Sequence, residues 1–227
     1  MSRAEVRKRG LARAIGLVLI FTPVAAMAVA AAAQTVKAQP AGARLLARIQ
    51  GKARQATNIP RHLAWHGADV DGDGAPDFVN PTGQLPRTHD AFGFGAFGAS
   101  RDGGVREHEG VDYAARAGQA AAAPISGFVT KIGYAYGGDT GLRFVEITNP
   151  AIGYVARAFY VDPTVSVGQA LRLGQTIGRV VSLQDHYPGI TDHVHLEILN
   201  ARGARVDAAA GLITARWVPG RAANAKG

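Results

Sequence analysis

The chain has 227 residues, no cysteine and a formal net charge of +8. The length allows one substantial domain plus extras. Without thiolates, cysteine-ligated structural zinc and iron–sulfur clusters are excluded, any metal must be held by nitrogen and oxygen, and an exported domain must rest on its own core.

Arg3, Arg7, Lys8, Arg9 and Arg13 precede an apolar run from Ala14 to Ala33, which ends in small residues before Gln34. This is the layout of a secretory signal peptide cleaved after Ala33. An uncleaved membrane anchor is the competing reading, because the run is about the length that spans a bilayer. Pro23 and the alanine-rich end favour cleavage, and with it export to the periplasm or beyond the cell. Removing residues 1–33 takes away five basic residues and Glu5, so the net charge falls from +8 to +4. That mild basic bias suits an acidic polymer such as a cell wall and is too weak to argue for nucleic acid.

Residues 34–60 lack a strong period and read as a linker, with a short helix at Ala43–Gln50. In the next segment, 61–84, Asp69, Asp71 and Asp73 fall at positions 1, 3 and 5 of a calcium loop, Gly74 at the turn position and Asp77 at position 9. Position 12 is Asn80 rather than Glu, so this is not a full EF-hand. It resembles the shorter D-x-D-x-D-G-x-x-D loops of secreted bacterial proteins, which in those families bind calcium. A solvated Asp/Gly turn is the alternative.

Residues 81–107 are rich in glycine and aromatics and read as an irregular loop, with His89 and Asp90 at the surface. Glu107-His-Glu-Gly-Val-Asp112-Tyr follows. His108 and Asp112 stand four apart, and Gly110 between them permits a tight bend, so the spacing need not mean a helix.

Strands are expected at Ile125–Ile132, Arg143–Thr148 and Tyr154–Val161, and short ones between the turn glycines of 168–178. In Asp192-His-Val-His-Leu-Glu-Ile198 polar and apolar residues alternate, which predicts a strand. His193 and His195 then share one face, and Val194, Leu196 and Ile198 the other. Two imidazoles side by side are either a wet strand face or a metal or acid/base pair. With His108 and Asp112 added, two histidines and a carboxylate would suffice for tetrahedral zinc with one position open. After about Asn200 a short helix is expected near 207–212, and then a frayed tail.

These pieces, in this order, resemble the lysostaphin/LytM-like zinc metallopeptidases that cut peptide cross-links in peptidoglycan. The matching runs are His108-x-x-x-Asp112, AAP-I-x-G-x-V at Ala122–Val129, VGQALRLGQTIG at Val167–Gly178 and His193-x-His195. The resemblance covers roughly 85–200. Tyr187-Pro-Gly-Ile190 and Phe159-Tyr160-Val161-x-Pro163 are similar to the leukocyte cell-derived chemotaxin branch, which has this domain, binds zinc and is regarded as non-hydrolytic.

The resemblance implies a mainly β fold: a small antiparallel sandwich or barrel-like core with glycine-rich loops. It implies that His108, Asp112 and His195 hold zinc, and that His193 stays off the metal and faces the substrate, to activate the zinc-bound water or steady the developing oxyanion. Arg101 resembles the family's substrate-facing arginine, although FGASR is one residue longer than the family's signature. Active members carry a further histidine where this chain has Phe159 and Tyr160, which leaves the Tyr160 hydroxyl as the replacement donor. His186 would be an alternative only if its loop folded over the site.

The implied division is 1–33 signal peptide, 34–60 linker, 61–84 Asp-rich segment, 85–205 peptidase domain and 206–227 tail. The 91–100, 134–141 and 185–191 loops are expected to wall a groove floored by the His193/His195 strand. Residues 60–100 are long enough to plug it. The favoured activity is a zinc endopeptidase acting on peptidoglycan peptides. The alternative is a silent zinc-binding domain that recognises wall or protein. No nucleic-acid partner is expected, and membrane contact only through an uncleaved N-terminal segment.

Overall fold

The computed structural model describes residues 61–220, together with the helical positions Leu45 and Arg48 inside the stretch where a short helix is expected. The signal segment 1–33, the remainder of the 34–60 linker and residues 221–227 lie outside the described residues. Among those described, no helix is long and apolar enough to cross a membrane.

The described residues form fourteen strands in chain order. The first five are β1 (Arg61–Gly67), β2 (Ser100–Arg101), β3 (Arg106–Glu107), β4 (Val111–Ala114) and β5 (Ala120–Ala122). Then come β6 (Gly127–Tyr134), β7 (Arg143–Asn149), β8 (Tyr154–Phe159), β9 (Val161–Pro163) and β10 (Ala170–Leu171). The last four are β11 (Thr176–Val180), β12 (His193–Leu199), β13 (Arg205–Val206) and β14 (Ile213–Pro219). Among the described residues, the helical content besides Leu45 and Arg48 is two 3₁₀ turns, Asp102–Gly104 and Ala208–Ala210.

The main sheet runs β10-β6-β7-β8-β12-β13, and β4 joins the same edge of β12 as β13. β5-β11-β9 form a second sheet, β1-β14 a two-stranded ribbon and β2-β3 a short hairpin. All pairings are antiparallel, and no closed barrel forms among the described residues. The mainly β architecture expected from the glycine-punctuated sequence is therefore the one observed.

The alternation in β12 sets the core. Val194, Leu196 and Ile198 are fully buried and pack with Val111, Val145, Ile147, Ala156 and Ala158 from neighbouring strands. Burying a side chain of this size contributes about 1.5–3 kcal/mol. The odd-numbered residues of β12 face the other way, toward the site.

Two local features depart from the expected pattern. The strand expected at Tyr154–Val161 breaks at Tyr160, which has a φ of 66°. This left-handed conformation costs a non-glycine residue about 1–3 kcal/mol. It is pinned from both sides: Tyr160 N donates to the Arg143 carbonyl at 2.7 Å and Val181 N to the Tyr160 carbonyl at 2.9 Å. The tail expected to fray beyond residue 212 instead supplies β14, whose Ile213–Pro219 pair residue by residue with Gly67–Arg61. Buried Ile213 anchors this ribbon, and Trp65 ties it inward through a 3.0 Å bond to the Gly83 carbonyl and edge contact with buried Tyr113.

Candidate metal centre

Pairing register aligns two rows of side chains across the sheet. One row reads Gly133–Phe144–Phe159–His195–Asp112, across β6, β7, β8, β12 and β4. The next same-face row reads Lys131–Glu146–Arg157–Glu197. Residues two apart on a strand share a face, so both rows look into one groove of about 970 Å³.

At the end of the first row three ligand atoms converge. His195 Nδ1 lies 2.8 Å from Asp112 Oδ1 and 2.9 Å from His108 Nε2, which is itself 3.1 Å from Asp112 Oδ1. The outer nitrogen of His108, Nδ1, donates to the Ala96 carbonyl at 2.8 Å. A carbonyl only accepts, so the His108 proton sits on Nδ1 and the Nε2 lone pair faces the cluster. Lone pairs this close repel unless a proton or a cation stands between them. That role falls to His195: burial opposes its charge, but the hydrogen bond to Asp112 and the nearby Glu197 carboxylate outweigh burial and lift the imidazole to about 9. Two imidazole nitrogens and one carboxylate oxygen are the donor set of a tetrahedral metal site with one open position, and these residues could hold such an ion.

Asp112 divides its oxygens. While Oδ1 faces the histidines, Oδ2 accepts from Arg87 Nε at 2.9 Å and lies 3.5 Å from Arg101 Nη2. Burial works against the carboxylate charge, but the close imidazoles of His108, His195 and His193 hold it well below the usual range. Arg101 lines the groove, and its guanidinium is bound to the Phe94 carbonyl at 2.8 Å and leans on Asp112.

Arg87 went unread in the sequence. It is buried, and besides Asp112 it meets Asp90 Oδ1 at 2.9 Å and the Gly93 carbonyl at 2.8 Å. Asp90, expected at the surface, is mostly sheltered and receives the backbone N–H groups of Phe92 and Thr191. His89 is exposed, as expected.

His193 stands beside the cluster. Its Nδ1 donates to the Thr191 carbonyl at 2.7 Å, leaving the Nε2 lone pair 3.5 Å from Asp112 Oδ1. Burial lowers its affinity for a proton. Tyr160 lies edge-on to His193, with ring centroids 5.2 Å apart, and its hydroxyl pairs with that of Tyr136 at 2.9 Å. Phe159 packs edge-on against His195 at 5.2 Å, and its ring lies tilted by 31° against Phe144 at 4.7 Å. Phe159 and Tyr160 therefore pack against the two histidines of the pair.

The 134–141 and 185–191 loops wall the groove through Tyr134, Tyr136, Tyr187 and Ile190, and Phe92 joins Tyr187 across it at 5.5 Å. His186 is outside the lining and pairs with Asp139 at 2.8 Å instead. Glu197, also unread in the sequence, is buried on the groove face. Its Oε1 lies 3.7 Å from His195 Nε2, and its Oε2 meets Arg157 Nη1 at 3.3 Å and Arg205 Nε at 3.2 Å. The alternation that exposes His195 to the groove predicts Glu197 there too.

In the Asp-rich segment, Asp69, Asp71 and Asp77 cluster on the surface, and Asp73 is not among them. Each carboxylate accepts backbone N–H groups of its own loop: Gly72 and Gly74 on Asp69, Val70 on Asp77, Asp73 on Asp71 and Ala75 on Asp73. The loop is closed by its own hydrogen bonds.

Comparison with known proteins gives a consistent grouping. Residues 106–208 match Peptidase family M23. The chain is 32% identical over 116 residues to leukocyte cell-derived chemotaxin-2 of Mus musculus, covering 49% of this chain and 71% of that one. It is 34% identical over 120 residues to myeloid protein 1 of Gallus gallus, covering 52% of this chain but 36% of that one. Among solved structures, lysostaphin aligns at 20% identity and a TM-score of 0.41, covering 49% of this chain and 46% of lysostaphin. A zinc-containing peptidase from Vibrio cholerae aligns at 24% identity and a TM-score of 0.43, covering 58% and 39%.

Proposed function

Because this chain belongs to peptidase family M23, we propose that it is an exported zinc-dependent endopeptidase that hydrolyses peptide bonds of peptidoglycan. The observation that carries the reading is the convergence of His108 Nε2, Asp112 Oδ1 and His195 Nδ1 at the floor of an open groove, with the base-competent Nε2 of His193 alongside. Zinc in that place would supply Lewis-acid polarisation of the scissile carbonyl and acidify a water.

The chain's own residues do the rest. His193 holds its proton on Nδ1 and offers Nε2 as the acceptor, and because burial keeps it neutral it can take a proton and pass it to the leaving amine. Tyr160 is the donor for the developing oxyanion. Burial, then the neighbouring Tyr136, push its phenol up, so the O–H stays intact at neutral pH. Tyr136 aims that hydroxyl through its own hydrogen bond. Arg87 and Arg101 hold Oδ2 of Asp112 and so keep Oδ1 turned toward the histidines. The tyrosine-lined walls would exclude water around a bound peptide.

A second reading is favoured by one observation. Phe159 presents only carbon to His195, at a position where the resemblance leads one to expect a further histidine in active members. On this reading the domain holds zinc and binds wall or protein without cutting.

Incubating the zinc-loaded protein with purified peptidoglycan separates the two. New amino groups and soluble muropeptides, found by mass spectrometry and lost in His193→Ala, support the peptidase. Stoichiometric zinc with no cleavage supports the binding module.

A further inference from the structure

We propose that Glu197 is a positioning residue that fixes the ring of His195 for metal binding. It does so as the middle member of a chain of ion pairs laid across the sheet, and the inference rests on the zinc reading of His108, Asp112 and His195. A histidine that binds a metal through one nitrogen needs an acceptor for the N–H on the other, and that acceptor decides which nitrogen is free. His108 has the Ala96 carbonyl for this purpose and His193 the Thr191 carbonyl. His195 has no carbonyl partner. Its Nδ1 faces Asp112 and His108, and its Nε2 faces Glu197 Oε1 at 3.7 Å. Spacing of two along β12 puts this carboxylate on the same face as the ring.

A buried carboxylate is costly unless it is paired. Glu197 is paired twice. Arg157 Nη1 and Arg205 Nε both hold Oε2, at 3.3 and 3.2 Å, which leaves Oε1 for His195. Each arginine is anchored in turn: Arg157 Nε by Glu146 at 2.7 Å, and Arg205 Nη2 by Glu109 at 3.3 Å. Glu109 directly follows His108. The chain of ion pairs thus runs from the middle of the sheet, past the back of His195, to the neighbour of another ligand. Its members sit at matched register positions on β7, β8 and β12, so the strand pairing itself sets the alternation of sign.

The test is zinc affinity, read by competition with a chromophoric chelator on the full chain. Glu197→Gln keeps the size of the side chain and removes its charge, and should weaken zinc binding about 10–100-fold. Glu197→Asp, which restores a shorter carboxylate, should recover part of the loss. Lys131→Gln, which changes one charge at the far end of the same row, should bind zinc like the wild type. In the zinc-loaded wild type, ring ¹⁵N spectra should show His195 protonated on Nε2, with that signal shifted in Glu197→Gln. If Glu197→Gln fails to fold, the Glu197→Asp affinity and the wild-type ring spectrum still decide the matter. Wild-type affinity in both Glu197 variants, or a His195 ring unprotonated at Nε2, overturns the inference while leaving the zinc site intact. A wild-type protein that takes up no zinc overturns the zinc reading and this inference together.

Discussion

Gly110 lies against the ring of His195 so closely that a Cβ at position 110 would fall 2.6 Å from His195 Cε1 and 2.6 Å from the Leu196 carbonyl oxygen. The glycine inside His-x-x-x-Asp therefore does more than bend the chain: it makes room for the second histidine. Gly110→Ala should destabilise the domain by about 1–3 kcal/mol, as overpacking does. It should also lower zinc affinity, because the ring and not the backbone is the part free to move. Denaturant unfolding of the metal-free protein measures the first effect and chelator competition the second.

Removing a ligand should separate metal binding from chemistry. His108→Ala and Asp112→Ala are expected to lose stoichiometric zinc by elemental analysis. His193→Ala is expected to keep zinc and lose hydrolysis. Loss of zinc from His193→Ala would sink the assignment of His193 as the proton carrier.

Zinc should also stabilise the fold. An ion that binds only the native state, present at a hundred times its dissociation constant, adds about 2.7 kcal/mol. The unfolding midpoint should rise on adding zinc and fall back with a chelator. The rise should vanish in His108→Ala.

The Tyr160 hydroxyl is open to a direct test. Tyr160→Phe should retain zinc and slow peptidoglycan cleavage by about 10²–10³, the usual cost of one oxyanion donor. Cleavage at the wild-type rate would show that this hydroxyl plays no part.

Arg87→Ala removes one member of a buried pair and leaves Asp112 Oδ2 without its closest cation. Breaking such a pair costs about 3–5 kcal/mol. The loss should appear in denaturant unfolding of the metal-free protein.

How much of this was legible in the sequence depends on range. The polar–apolar alternation in 193–199 is a local signal, and it correctly separates the buried Val194, Leu196 and Ile198 from the groove face. The same signal covers Glu197, whose importance was hidden because its partners Arg157 and Arg205 lie on other strands. Arg87 lies 25 residues from Asp112 in a loop without periodicity, and nothing local marks it as buried. β14 is largely exposed and paired with a strand about 150 residues earlier, so only tertiary contact turns it from tail into strand. The reversal at Tyr160 runs against its own type, since an aromatic beside β-branched residues reads as continuous strand.

The alternation in β12 also has a consequence for how such a domain can diversify. Ligand, outer partner and core residues occupy successive positions of one strand, so inserting or deleting a single residue between His193 and Leu199 would exchange the two faces. Buried aliphatics would enter the groove and the imidazoles the core. The loops that wall the groove carry no such constraint, since they can lengthen or shorten at little cost. Changes of chain length are thus tolerable where they reshape what the groove accepts and intolerable where they touch the centre.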